Sequence, residues 1–300
     1  MYTQLFSKSG LSLDRLRRFL SVIEQGGVTK AAGGSPTLQS QISRQVGELE
    51  SFFEVKLFRK EGKKLHLTQE GKRLEVIARE LLNSLEQFML DCSNQPKAVS
   101  IGAGEALIQW LLIRRLNDIK LDSTVIRMEN LRSLEIISRI EDMRLDFGLV
   151  RTDAIPPHFQ QIELGIMRYS LFVPRGLMKM HSRVGWKLVL RKIPLATIGS
   201  DGQFNQQLHN AAKDASINLN IALECSSFPQ AAKALQSGDY GAILPSIARV
   251  DLPDEQFASI SVPFLDSEIR KISLTWHSRM IKLRPDCDVI RRQLAQALLI

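Results

Sequence analysis

The sequence predicts a molecule in two parts joined by one long helix. A small N-terminal module of short helices ends in a β-hairpin, and a larger α/β region divides into two lobes. Three observations predict this. Apolar residues recur at helical spacing up to about residue 53, then give way to short extended runs around a basic hairpin. An unbroken helical stripe follows over residues 68–92. Beyond residue 97, strand and helix patterns alternate to the C-terminus, the order that builds parallel sheets with helices on both faces.

Bulk properties agree with this and exclude several classes. A chain of 300 residues has room for two or three domains. With 44% apolar and 24% charged residues it is neither disordered nor fibrous. No run approaches the roughly 18 apolar residues of a membrane span, and the N-terminus lacks a signal-peptide core, so a cytoplasmic location and no membrane partner are expected. Cys92, Cys225 and Cys287 are far apart, and the five histidines form no HxxxH pair, so neither a disulfide framework nor a metal site is expected. The sequence holds no GxSxG, GxxxxGK[ST] or GxGxxG, so no cofactor and no catalytic residue are assigned. The formal charge of +8 is shared out as +5 over residues 1–66, −2 over 67–95 and +5 over 96–300. Net charge alone therefore hints only weakly at nucleic acid.

The first helix is expected over Leu13–Gln25, with Leu16, Phe19, Leu20 and Ile23 on one face, Ser12 as N-cap and Gly26-Gly27 as the stop. A brief second helix begins at Thr29 as N-cap and ends in the turn Gly33-Gly34-Ser35-Pro36. The third runs from near Thr37 to Phe53 and buries Ile42, Val46, Leu49 and Phe53. Its opposite face carries Ser40, Arg44, Gly47 and Ser51, flanked by Thr37 and Ser43. Short polar side chains with one arginine suit close approach to a major groove, where arginine commonly reads guanine edges. Two helices, a tight turn and a third polar-faced helix make a helix-turn-helix.

Two short strands, Val55–Phe58 and Lys64–Leu67, then surround Glu61-Gly62-Lys63. The nine residues from Lys56 to Lys64 carry a net +4. A lysine-tipped hairpin is a wing, and Lys63 and Lys64 are its candidate phosphate contacts. From Thr68 a long helix aligns Leu74, Ile77, Leu81, Leu85, Phe88 and Cys92, broadened by Leu82 and Met89. This seam suits pairing with a second copy.

At this point the residues resemble a known family. Leu16-Arg17-Arg18-Phe19, Thr29-Lys30-Ala31-Ala32, Gln39-Ser40-Gln41-Ile42-Ser43-Arg44-Gln45-Val46, Leu49-Glu50, Leu57-Phe58-Arg59 and Leu67-Thr68-Gln69-Glu70-Gly71 look like the winged helix-turn-helix of LysR-type transcriptional regulators. The matches fall in order across residues 13–71. The resemblance implies contacts to double-stranded DNA from Gln39, Ser40, Ser43 and Arg44, with Thr37 near the helix start. It also implies a homodimer or homotetramer. Residues 33–38 depart from the family pattern: two glycines and a proline stand where a helix end usually lies, which shortens the second helix.

The C-terminal region reads as strand Val99–Ala103, helix Glu105–Asn117, strand Thr124–Met128, helix Ser133–Met143 and strand Asp146–Val150. Strands Tyr169–Val173 and Leu195–Ile198, helix Gln203–Ala215, strand Ile221–Glu224 and helix Pro229–Gln236 follow. Strands Gly241–Leu244, Ile260–Val262 and Lys271–Trp276 and helix Asp288–Leu299 complete it. The division expected is 1–67 for DNA, 68–96 as linker and 97–300 as sensor, with lobe I at 97–168 and 272–300 and lobe II at 169–271. This pattern resembles the family's effector-binding domain, itself similar to periplasmic solute-binding proteins. In open α/β sheets ligands sit beyond the carboxyl ends of strands, here Gly104, Glu105, Glu129, Arg151, Gly199, Ser200 and Ser226. Helix N-termini after Gly104 and Ser200 favour an anion, and Glu105 opposes it. The effector itself is not named by the sequence. Two other readings compete: a cytosolic solute-binding or sensor protein whose N-terminal module serves assembly, and an α/β enzyme with a regulatory N-terminal domain.

Overall fold

The computed structural model describes residues 3–61, 64–92, 97–119, 124–179, 186–199, 203–266 and 268–300. The chain forms two compact units, residues 1–97 with 141–144, and residues 98–140 with 145–300.

In the first unit, α1 (Leu13–Glu24) is capped by Ser12, whose hydroxyl accepts from Arg15 N. It buries Leu16, Phe19, Leu20 and Val22. The second helix, α2 (Val28–Ala31), has Gly27 rather than Thr29 at its cap. Gly33 and Gly34 then adopt φ of +58° and +84°, the left-handed region where side chains are strained. These glycines are what the tight turn requires, and they account for the departure seen in the sequence. The third helix, α3 (Pro36–Phe53), starts one turn-residue earlier than expected. Ser35 caps it by accepting from Leu38 N, and Pro36 occupies the first turn, where no N–H is needed. Strands β1 (Phe58–Glu61) and β2 (Lys64–Leu67) pair antiparallel with Phe58 opposite Leu67 and Glu61 opposite Lys64. The first wing strand therefore lies three residues later than Val55–Phe58. Leu57 is instead buried against Leu16, Phe19 and Leu49 at the wing root.

Helix α4 (Gln69–Asp91) corrects the single-seam reading. Leu74 and Ala78 are buried in the core of the N-terminal module, with Leu82 packed beside them. Ile77, Leu81, Leu85 and Phe88 form a separate, exposed row. Arg79, also buried, donates to Glu24 at 2.7 Å and Glu75 at 3.0 Å. Burial opposes its charge, but the two carboxylates more than restore it.

The second unit contains two five-stranded sheets. Sheet one holds β3 (Lys97–Ala103), β4 (Thr124–Asn130), β5 (Phe147–Arg151), β6 (Gln160–Met167) and β12 (Arg270–Trp276), in the order β4-β3-β5-β12-β6. Sheet two holds β7 (Tyr169–Pro174), β8 (Leu195–Ile198), β9 (Ile221–Cys225), β10 (Gly241–Pro245) and β11 (Phe257–Ile260), in the order β11-β7-β10-β8-β9. Strand β6 has no counterpart in the sequence reading, and β11 ends where the strand expected at Ile260–Val262 began.

The helices, in chain order, start with α5, formed by Glu105–Leu107, the π-helical Ile108–Leu112 and Ile113–Arg115. Then come α6 (Ser133–Glu141), α7 (Arg175–Lys179), α8 (Trp186–Lys192), α9 (Gln203–Asp214), α10 (Phe228–Gln236), α11 (Met280–Leu283) and α12 (Asp286–Ala297). Among these, α7, α8 and α11 were not expected from the sequence. Helix α6 lies tightly on sheet one: a Cβ at Gly102 or Gly148 would stand 3.1 or 2.4 Å from Ile136. Trp110 on the π-helical turn buries itself in the core of sheet two, beside Phe172, Ala231 and Leu244. Its indole N–H donates to Asp251 Oδ2 at 2.9 Å, and Arg114 pairs with the other oxygen of that carboxylate. The two lobes are thus pinned together on the α5 side.

Candidate DNA-reading face and effector cleft

Helix α3 buries Ile42, Val46, Leu49 and Phe52, which turns the opposite side outward. Thr37, Ser40, Ser43 and Arg44 are exposed, and the Arg44 side chain is 75% accessible. Gln39 is half-buried at the edge of this face, and Gln41, not singled out from sequence, is exposed beside Thr37 and Ser40. Arg44 Nε stands 3.7 Å from Glu48 Oε1, and Glu48 is itself held by Arg15 at 2.5 Å. Arg44 is therefore loosely tethered rather than committed to a partner. A Cβ at Gly47 would meet nothing within 4 Å, so nothing crowds this face.

The wing is fixed at its root. The Glu50 carboxylate accepts from Lys56 Nζ at 2.7 Å, Leu57 N at 2.9 Å and Phe58 N at 3.4 Å. Thr68 Oγ1 donates to the Lys56 carbonyl at 2.6 Å and accepts from Gly71 N at 2.9 Å, so one hydroxyl ties the wing to the start of α4. Lys63 lies outside the described residues. Lys64 begins β2, opposite Glu61.

In sheet one, β3 and β5 run parallel side by side, which brings Gly104 and Arg151 to one edge. Glu105 is half-buried there. Glu129 is engaged elsewhere, since Arg139 pairs with it and with Glu135 at 2.6 Å. In sheet two, β8 and β9 are parallel, and Gly199 N donates to the Cys225 carbonyl at 2.8 Å. The Ser226 hydroxyl and N–H both bond Gln230 Oε1, at 2.8 and 3.1 Å. Ser200 lies outside the described residues.

The structure adds residues that the sequence reading passed over. Tyr169, first in β7, pairs with Pro245 at the carboxyl end of β10. Its ring lies 4.4 Å from Phe204 and 5.9 Å from Phe228. The Arg270 guanidinium stands 5.6 Å over both the Tyr169 and Phe204 rings. Burial pushes the Tyr169 hydroxyl up to about 12, while Arg270 and Arg151 pull the other way. Arg151 of sheet one is thus near enough for its charge to act on the Tyr169 hydroxyl of sheet two. Tyr169 and Arg270 are the first residues of β7 and β12, where one lobe gives way to the other, and those positions were the one signal available.

The N-terminal residues 13–72 match the model of the bacterial regulatory helix-turn-helix proteins of the lysR family, and residues 95–297 match the LysR substrate binding domain. The chain belongs to the LysR family. Among LysR relatives, the transcriptional regulator YofA of Bacillus subtilis is 23% identical over 243 residues, covering 78% of this chain and 81% of that protein. DgdR of Burkholderia cepacia is 33% identical over 81 residues, 27% of this chain and 28% of its own length. The same fold occurs in ArgP of Mycobacterium tuberculosis, with a TM-score of 0.68, 16% identity and coverage of 96% and 97% of the two chains. CbnR complexed with its target DNA gives 0.54 at 18% identity, covering 94% of this LysR protein and all of that chain.

Proposed function

We propose that this LysR-family chain is a cytoplasmic, effector-responsive regulator that reads double-stranded DNA through α3 and carries out no catalytic step. Thr37, Gln39, Ser40, Ser43 and Arg44 face the major groove, and Lys63 and Lys64 of the wing meet the phosphates beside it. The exposed row on α4 pairs two copies, which matches the two-fold symmetry of DNA half-sites. Gly104, Glu105, Arg151, Gly199 and Ser226 rim the cleft in which a small molecule binds. That molecule shifts the arrangement of paired modules only by the difference in its affinity for the two states.

The observation that carries the reading is the α3 face: short polar side chains, an uncrowded Gly47 and one projecting arginine, on a helix whose other side is buried. The test is a footprint of the full chain on the DNA upstream of its own coding region and of the adjacent divergent one. Protection of two half-sites separated by whole helical turns is expected, with affinity that falls steeply with salt. Uniform, sequence-independent binding would overturn the assignment of α3 as a reader.

A further inference from the structure

We propose that the cleft takes a small organic carboxylate, gripped by Arg270 with the Tyr169 hydroxyl as a second donor and with Phe228 against its body. The proposal rests on the reading of this mouth as the effector site and adds the chemistry of what binds there.

Arg270 is half-buried at the start of β12, where Nη2 donates to the neutral amide oxygen of Gln207 at 3.0 Å. Among the described residues no carboxylate stands within 4.0 Å of it, whereas Arg79, Arg139 and Arg284 each have one. Stacking on the Tyr169 and Phe204 rings holds the guanidinium plane in place. An arginine so oriented presents a fork that matches a carboxylate with two parallel hydrogen bonds.

The second observation is independent of the charge. The Tyr169 hydroxyl is buried and has no hydrogen-bond partner among the described residues. The same holds for Thr197 Oγ1, two strands away on the same face of sheet two. Buried hydroxyls are almost always paired, so two orphans on one face mark a place where something else supplies the partner. The phenol remains protonated at neutral pH, so its O–H can donate to a carboxylate oxygen. Arg151, held by Asp153 at 3.1 Å, adds positive potential felt at the phenol, and Glu268 acts against it. Phe228, half-buried and 5.0 Å from Phe204, leaves an apolar surface beside these donors.

The test uses the full-length protein and two acids, phenylacetate and glutarate, each against its amide twin, by calorimetric titration and thermal shift. At least one acid is expected to bind while its amide does not. Arg270→Gln should weaken that binding at least tenfold and Tyr169→Phe several-fold, with Arg270→Lys retaining part of it. Tyr169→Phe keeps the ring stack, so a loss there reports the hydroxyl rather than the fold. Binding of amide and acid alike, acid binding undiminished by Arg270→Gln and Tyr169→Phe, or no thermal shift with either acid at 10 mM would overturn the proposal. Gly104→Leu tests the cleft apart from its ligand chemistry, because a Cβ there meets nothing within 4 Å and the substitution adds bulk at the end of β3 without touching Arg270 or Tyr169 chemically. If a neutral ligand binds and Gly104→Leu alone abolishes it, the cleft stands and the carboxylate assignment falls. If Gly104→Leu and Arg270→Gln both leave binding intact, both fall.

Discussion

A Cβ on Gly71 would stand 2.2 Å from the Leu57 carbonyl oxygen, a backbone atom that cannot move aside without dragging the wing root. Gly71→Ala should therefore cost about 1–3 kcal/mol in denaturant unfolding, in the range of an overpacked core, and unchanged stability would show that the wing root is looser than its contacts. Arg44 belongs to the opposite category, since it is exposed and only loosely tethered to Glu48. Arg44→Ala should leave the melting temperature unchanged and lose about 1–3 kcal/mol of DNA affinity with relaxed specificity, and uniform weakening across sequences would make it a phosphate contact instead. Glu50 links residue chemistry to pH. Burial works to raise its carboxyl, but Lys56 and the Leu57 and Phe58 N–H groups outweigh burial and hold it below the usual 4.5. The ionised form thus contributes stability that is complete above pH 4.5 and is lost as pH falls through the lowered value. Glu50→Gln should flatten that part of the acid limb of a stability–pH curve. Arg44 stood out in the sequence because it was the one long cation on a face of short residues. Tyr169 and Arg270 did not, because nothing local distinguishes a strand's first residue from a ligand contact.

At the scale of the element, α4 shows what periodicity sees and what it merges. Leu74, Ala78 and Leu82 face the N-terminal core, while Ile77, Leu81, Leu85 and Phe88 face outward. At 100° per residue the mean directions of the two rows lie roughly 65° apart, so in sequence they blend into a single wide stripe. Spacing gives the width of an apolar face but not the number of partners sharing it. The two rows predict different failures. Leu81→Asp should dissociate the subunits in sedimentation and leave the N-terminal module folded, whereas Leu74→Asp should unfold the module itself. If Leu81→Asp sediments as wild type, the exposed row is not the pairing surface. The turn at Gly33-Gly34 was legible as a turn that shortens the second helix, and the positive φ values show why glycine stands at both positions.

For the whole molecule, βαβ alternation was enough to anticipate two lobes, because each helix–strand switch changes the period of the apolar pattern from about 3.6 to 2. It was not enough for β6, whose exposed and buried residues do not alternate cleanly at the edge of sheet one. Nor could it show how the lobes are held. Trp110 leaves one lobe and is buried to 2% in the core of the other, with Asp251 accepting from its indole and pairing with Arg114. If this plug joins the lobes on the α5 side, the two should unfold as one cooperative body. Trp110→Ala should cost about 3–5 kcal/mol, the range for emptying a large aromatic site. It should also split the unfolding of the lobes. Trp276 lies in sheet one and Trp186 in lobe II, so variants retaining only one of them report each lobe separately. In the Trp110→Ala background the two reporters should show different denaturant midpoints. Trp110→Phe keeps most of the plug and loses only the bond to Asp251, so its two midpoints should coincide at a stability lowered by about 1 kcal/mol. Coincident midpoints in Trp110→Ala would mean that the crossing strands β7 and β12 suffice to couple the lobes, and that the π-helical turn of α5 is not what joins them.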